Sequence, residues 1–288
     1  MKLLIVSSAP LIPFGNNWKA YSPYVEELKI WERYSDEILF CCPIWETDRG
    51  LLVKQLDFKT KYPIALQEFA GKSFSKMIKS LNAILVNSVR IFKAMQSADH
   101  IHLRCPGNIG LLGCIIQILF PKKPKTAKYA GNWDPKAQQP FSYKIQKWIL
   151  SNTFLTKNMQ VLVYGEWPNQ SKNIKPFFTA SYSENEKEIV SPRDLSSQIT
   201  FLFVGTLSEG KQPLYAMQLV EKLIVDGFDI KLEMFGDGIE RKKIEAYIAK
   251  NDLRDNIILM GNKTKEELKV AYKKSHFLLL PSKSEGWP

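Results

Sequence analysis

Two hydrophobic rhythms alternate along this chain. Lys2–Ser7 is a short, nearly continuous apolar run, as a strand buried on both faces requires, whereas residues 22–34 repeat their apolar side chains at helical spacing. A second strand is predicted over Glu37–Cys42. Residues 72–95 place Met77, Ile78, Leu81, Ile84, Leu85, Val89 and Phe92 on one helical stripe, and residues 100–103 follow as a strand. The alternation continues through a helix near 109–119, a strand at 126–130, a helix near 143–154 and a strand at 160–164. This order predicts an α/β fold, a parallel sheet covered by helices.

The rhythm breaks once. Residues 181–197 are polar and rich in Ser and Glu, and Pro192 interrupts any regular element, so a domain boundary is expected there, between an N-terminal domain over 1–185 and a C-terminal one over 195–288. Strand and helix then alternate again: strand 200–204, helix 213–226, strand 231–235, helix 240–251, strand 257–260, helix 265–274, strand 277–280. Two Rossmann-like halves are predicted.

Composition narrows the function classes. The 288 residues are 45% hydrophobic and 24% charged, enough for two cores. No apolar run approaches the roughly 20 residues that span a bilayer, and Ser7-Ser8 follows the first strand too soon for a signal peptide, which points to the cytoplasm. Cys41, Cys42, Cys105 and Cys114 sit in or beside apolar segments without metal-ligand spacing and are expected as reduced core thiols; no metal is expected. The net charge of +11 is uneven: between Gly71 and Gly165 only Asp99 and Asp134 oppose a long series of Lys and Arg. Such a region attracts an anionic substrate, an acidic membrane surface or nucleic acid. The last lacks support, because no helix-turn-helix, zinc or RNP-like signature accompanies the charge. A dinucleotide oxidoreductase is disfavoured by the absence of G-x-G-x-x-G after either first strand.

The candidate chemistry lies where strands end in the second half. Gly205-Thr206 leads through Lys211 to Pro213, and Pro at a first helical turn with a lysine beside it suits a pyrophosphate at a helix N-terminus. An ordinary strand–helix turn with a solvated lysine would use the same residues. Gly236-Asp237-Gly238 permits close approach of a ligand to the backbone. Gly261-Asn262-Lys263-Thr264 follows the third strand, with Thr264 expected to cap the next helix. Ser284-Glu285-Gly286 follows the last. Four loops at strand carboxyl ends lie on one edge of a parallel sheet, where open α/β folds bind ligands.

These loops, in this order and at these intervals, resemble the C-terminal domain of family 4 retaining glycosyltransferases. The resemblance implies a GT-B fold, two Rossmann-like domains facing a cleft, with the second domain cut short after Pro288. It implies Lys211 on the donor diphosphate, with Thr206 where the family usually has Arg, and Gly205, Gly236, Asp237 and Gly238 around the nucleotide. Asn262 and Lys263 would lie near the base, and Ser284, Glu285 and Gly286 at the donor sugar, with Glu285 as the first Glu of the E-x7-E motif. Gly15 falls in the loop after the first strand, where the family brings a glycine near donor phosphate and acceptor; a plain surface loop is the alternative. Asp99-His100-Ile101-His102-Leu103-Arg104-Cys105-Pro106 is similar to the family's D-x-x-H-x-H-x-P, with Arg104 at the second His position and His102 at the first. Either would face the reaction centre, although a His alternating on a strand also suits core packing. Gly131-Asn132-Trp133-Asp134, after another strand, would line the acceptor side or form a plain turn.

The function implied is retaining transfer of a sugar from a nucleotide-sugar to a saccharide or lipid-linked acceptor, without cofactor, in surface polysaccharide or lipopolysaccharide synthesis. The alternative is a catalytically incomplete fragment that only binds nucleotide or an anionic surface. The basic helix over 72–95 and Trp148 suggest peripheral contact with the inner face of the membrane.

Overall fold

A computed structural model describes residues 1–58, 60–69, 74–177, 184–187, 189 and 191–283, with backbone alone for 74–79 and 184. The chain divides into two compact units, one from Met1 to Asn185 and one beginning at Glu186.

Unit 1 contains β1 (Lys2–Ser7), β2 (Ile12–Phe14), β3 (Asn17–Tyr21), α1 (Ser22–Glu32), β4 (Glu37–Cys42), β5 (Val53–Gln55), β6 (Ile64–Ala65), α2 (Phe74–Ser97), β7 (His100–Cys105), α3 (Asn108–Ile116), β8 (Lys125–Tyr129), α4 (Phe141–Ser151), β9 (Met159–Val163) and β10 (Ile174–Pro176). Seven strands form one sheet in the order β10-β9-β8-β7-β1-β4-β6, every neighbouring pair parallel. Alternate side chains feed two cores. Leu4, Val6, Ile101, Leu103, Ala127 and Val161 meet Ile91 and Met95 of α2, Leu112 of α3 and Ile149 of α4. Leu3, Ile5, Ile38 and Phe40 meet Val25 and Leu28 of α1. Each fully buried Leu or Ile contributes about 1.5–3 kcal/mol of transfer free energy, which is why β1 and β4 read as nearly unbroken apolar runs. All four cysteines are free and buried in these cores, and burial pushes the Cys41 thiol up to about 12.

A second sheet in this unit is not foreshadowed by the periodicity. β2, β3 and β5 form a three-stranded antiparallel sheet that packs Trp18 and Ala20 onto the α1 core. Gly15 therefore does not sit in an open loop after β1. It is the first residue of the two-residue β2–β3 turn, with φ 57, opposite the pairing Phe14↔Asn17. A glycine at that place satisfies the positive φ that tight hairpins require. Strands of three to five residues, one with a central proline, give too few alternations to be read from sequence.

Unit 2 contains β11 (Ile199–Val204), α5 (Pro213–Val225), β12 (Ile230–Phe235), α6 (Arg241–Lys250), β13 (Ile257–Gly261), α7 (Lys265–Lys274) and β14 (Phe277–Leu278). The strand order β13-β12-β11-β14 is parallel throughout. Phe203, Leu232 and Met234 pack on Met217 and Val220 of α5 and Ile244 of α6. Leu202 and Phe235 pack on Ala271 of α7 on the other face. Pro213 opens α5, and α7 begins with a capping box in which Thr264 Oγ1 accepts from the Glu267 amide while the Glu267 carboxylate accepts from the Thr264 amide.

Candidate functional site

In unit 2 the loops that leave β11, β12 and β13 are laced together at the carboxyl edge of the sheet. Gly205 N donates to Phe235 O at 2.9 Å, Leu207 N to Asp237 O at 3.0 Å, Glu240 N to Leu207 O at 3.1 Å, and Gly236 N to Gly261 O at 2.9 Å. The segment after β14 joins them, for Lys283 N donates to Gly210 O at 2.9 Å and its ammonium pairs with Glu209 at 2.6 Å. The glycines are there for space. A Cβ on Gly236 would lie 2.0 Å from Gly205 O, and one on Gly238 would lie 2.4 Å from Leu207 O. Backbone approaches backbone at distances only glycine allows.

Lys211 closes the 3-10 turn Glu209–Lys211, and Gln212, in left-handed conformation with φ 51, redirects the chain into α5. The Lys211 stem lies over Gly205, its Cδ 3.8 Å from where a Cβ would stand. Thr206 is exposed beside it. Asp237 accepts from the Gly238 amide at 2.7 Å through one oxygen and pairs with Arg241 at 3.1 Å through the other. Arg241 also pairs with Glu245, and these two acids raise its already high pKa. Asn262 is exposed, and Lys263 pairs with Glu267 at 3.0 Å. The Thr264 amide, then Lys263 and the Thr264 hydroxyl, hold the Glu267 carboxyl down at about 2. Gly205, Thr206, Lys211, Gly236, Asp237, Gly238, Asn262 and Lys263 thus share one edge. Ser284, Glu285 and Gly286 lie outside the described residues. Arg241 and Lys283 are two further cations at this edge that the motifs did not single out; a charged residue within three places of a loop glycine, after Gly238 for Arg241 and before Gly286 for Lys283, is the signal that could have found them.

In unit 1 the strand-end candidates separate. His100, His102 and Arg104 share the face of β7 that α1 covers. Trp31 lies against His102 with ring centroids 4.5 Å apart, and Thr126 Oγ1 bridges His100 Nε2 at 2.9 Å and His102 Nδ1 at 2.8 Å. His102 has no exposed surface. Its reading as a group facing a reaction centre therefore gives way to packing under α1. Burial, reinforced by Arg104, His100 and Lys128, holds its pKa well below the usual histidine value. Arg104 is enclosed as well: it pairs with Glu27 at 2.8 Å and stacks over Tyr24 at 4.1 Å. Burial works against its charge, and Glu27 more than restores it. The basic region also loses members to the interior. Lys125 donates to the Phe120 carbonyl at 2.9 Å, and Lys128 is enclosed by Phe177 at 3.9 Å and Tyr164 at 4.6 Å. Desolvation pushes each down to about 8. Two lysines expected on a cationic surface are thus interior groups of β8, whose neighbours β7 and β9 cover both its edges.

The buried histidines carry a pH signature. Folded His100 and His102 titrate below the unfolded value of about 6.5, so below that pH the unfolded chain binds more protons and stability falls with pH. We expect the urea midpoint to decline as the pH falls through about 6.5, with a shallower decline in His102→Asn. An unchanged slope in that variant would contradict the assignment.

The carboxyl edge of the unit 1 sheet holds a cavity of about 550 Å³ lined by Ser8, Pro43, Phe69, the cis-peptide Pro106, Gly107, Asn108 and Tyr143. Ser8 Oγ is buried and has no hydrogen-bond partner among the described residues, and a Cβ on Gly107 would strike it at 2.3 Å. Gly131 packs on Pro106, while Trp133 is buried and donates to Gln170 at 2.9 Å. Among the described residues no three His, Cys, Asp or Glu gather so as to hold a metal, and no helix is long and apolar enough to cross a membrane.

Two α/β units built on parallel sheets, with glycine loops gathered at strand ends, define the fold as that of GT-B glycosyltransferases. Comparison with known proteins agrees. Residues 184–288 match the family described as glycosyl transferases group 1. An uncharacterised glycosyltransferase of Methanocaldococcus jannaschii is 36% identical over 86 residues, which make up 30% of this chain and 23% of that protein. Over its whole length the chain is similar in structure to the lipopolysaccharide outer core galactosyltransferase WaaB, at 18% identity and TM-score 0.59, covering 76% of that chain. It is also similar to Anabaena HepE in complex with UDP and glucose, at 13% identity and TM-score 0.66, covering 99% of this chain and 75% of that one.

Proposed function

We propose that this protein is a glycosyltransferase that uses a nucleotide-sugar donor, with the nucleoside diphosphate bound at the loop edge of unit 2. The single observation that carries this reading is the meeting of three glycine loops at one sheet edge, with the Lys211 stem over Gly205, inside the stretch that matches the group 1 family. Lys211 and the amino end of α5 neutralise the charge that develops on the diphosphate as the bond from the sugar's anomeric carbon to the phosphate oxygen breaks. An acceptor hydroxyl forms the new bond to that carbon from the same face, and its proton leaves on the departing phosphate oxygen, so configuration is retained and no separate base is needed. Glu285 orients the sugar. Gly236 and Gly238 leave room for the nucleotide, and Asn262 and Lys263 read its base. HepE was solved with UDP, which makes a uridine nucleotide the first ligand to try.

The unit 1 cavity beside Ser8 and Pro106 is the proposed acceptor pocket, taking a saccharide or lipid-linked saccharide. A role in surface polysaccharide or lipopolysaccharide assembly accords with the name of WaaB. Peripheral contact with an anionic membrane face is supported by α2, where Leu81, Leu85 and Val89 stand exposed in a stripe beside Arg90 and Lys93, and by exposed Trp148 of α4.

Calorimetric titration with UDP, GDP and ADP tests the donor site. One of the three should bind, and Lys211→Ala should weaken it at least about 30-fold, the loss of a charge-assisted contact worth about 2 kcal/mol. Unchanged affinity in the variant would overturn the diphosphate assignment.

A further inference from the structure

A second cavity of unit 1, larger than the one beside Ser8, plays no part in that reading. It measures about 840 Å³ and opens at the amino ends of β7, β8 and β9, the opposite edge of the sheet from Ser8 and Pro106. Three loops meet there, and each presents one exposed lysine: Lys122 ahead of β8, Lys157 ahead of β9 and Lys172 ahead of β10.

Dedicated hydrogen bonds hold these loops together. Asn158, at φ 56, donates its side-chain amide to Pro121 O at 3.1 Å and Lys122 O at 3.4 Å, which ties the first loop to the second. The buried Asn173 donates to Leu150 O at 2.8 Å and Thr156 Oγ1 at 3.1 Å, which ties the third to the second. Ser171 fixes the Asn173 amide in turn, at 2.7 Å. Three loops, each carrying an exposed lysine, are therefore held around one opening.

No Asp or Glu lines the cavity, and among the described residues Lys122, Lys157 and Lys172 form no ion pair. Gathered cations without a counter-charge repel, and low-dielectric walls strengthen their field toward an incoming anion. A structural role would be served as well by polar uncharged residues on the same loops. The Thr153 hydroxyl adds a donor to the wall. At the rim, Phe154 is 75% exposed beneath the Lys157 ammonium, and the chain just before Lys122 exposes Leu119.

We propose that this cavity binds a phosphate-bearing anion, held by Lys122, Lys157 and Lys172 at a site separate from the donor loops. Lysines serve phosphate as mobile point charges, and the volume exceeds what one inorganic phosphate fills, so a pyrophosphate or a phosphorylated headgroup is the size of ligand that fits.

The test uses the full chain carrying Lys211→Ala, so that its outcome does not depend on the donor assignment. Inorganic pyrophosphate is titrated by calorimetry at low salt, and phosphatidylglycerol vesicles are compared with phosphatidylcholine vesicles by co-sedimentation. The variant adds Lys122→Ala, Lys157→Ala and Lys172→Ala, all exposed positions, with thermal melting checked; a charge-matched control removes Lys136, Lys144 and Lys250 instead. Pyrophosphate or phosphatidylglycerol binding should fall at least ten-fold in the cavity variant and less than two-fold in the control. Loss for pyrophosphate identifies a soluble phosphate ligand, and loss for vesicles alone identifies a headgroup. Binding of neither probe, equal binding by the cavity variant, or an equal loss in the control would overturn the proposal.

Discussion

Gly236→Ala should unfold or loosen unit 2 and abolish nucleotide binding. The added Cβ would stand 2.0 Å from the Gly205 carbonyl oxygen, and φ 135 at this position is one that residues with side chains rarely adopt. Strain of about 1–3 kcal/mol from the backbone adds to about 1–3 kcal/mol from the forced separation of two loops. Neither partner can yield cheaply, because both contact atoms belong to backbone that is hydrogen-bonded into the β11 and β12 loops. Gly210→Ala is the internal control: nothing stands within 4 Å of its Cβ position and its φ is not positive. Urea unfolding should show a loss of about 4 kcal/mol for Gly236→Ala and within about 0.5 kcal/mol of none for Gly210→Ala. Equal stability of the two variants would mean that the loops do not meet as described.

The second large effect lies in unit 1. Glu27→Ala should cost about 3–5 kcal/mol, because it removes the carboxylate that pairs with the largely enclosed Arg104 guanidinium and leaves that charge over the Tyr24 ring without its counter-ion. Replacing both partners, Glu27→Leu with Arg104→Leu, should recover most of that loss, since a buried ion pair contributes little beyond its own desolvation cost. A single substitution no worse than the double one would show that Arg104 reaches solvent. That result would reopen the reading of Arg104 as a group facing substrate.

These two cases mark what sequence can and cannot convey. The parallel sheets were legible because strands such as β1 and β4 bury both faces and so appear as compact apolar runs separated by helical periods. The donor loops were legible because glycine is required where backbone meets backbone, and a glycine after a strand is visible in one dimension. What each glycine meets was not: Gly205 and Gly236 are 31 positions apart, and their contact exists only once β11 and β12 pair. Buried charge is hidden for the same reason. Glu27 and Arg104 are 77 residues apart, and Lys128 reads as surface until Tyr164 and Phe177 close over it. Local composition therefore overstated the cationic surface, and the resemblance of the β7 motif placed His102 nearer to chemistry than its packing allows.

Hydrogen–deuterium exchange with and without a saturating nucleoside diphosphate tests the central claim most directly. The donor reading predicts protection on binding in the peptides that carry Gly205 to Gln212, Gly236 to Glu240 and Gly261 to Thr264, and loss of that protection in Lys211→Ala. Protection confined to unit 1, with those three segments unchanged, would contradict it.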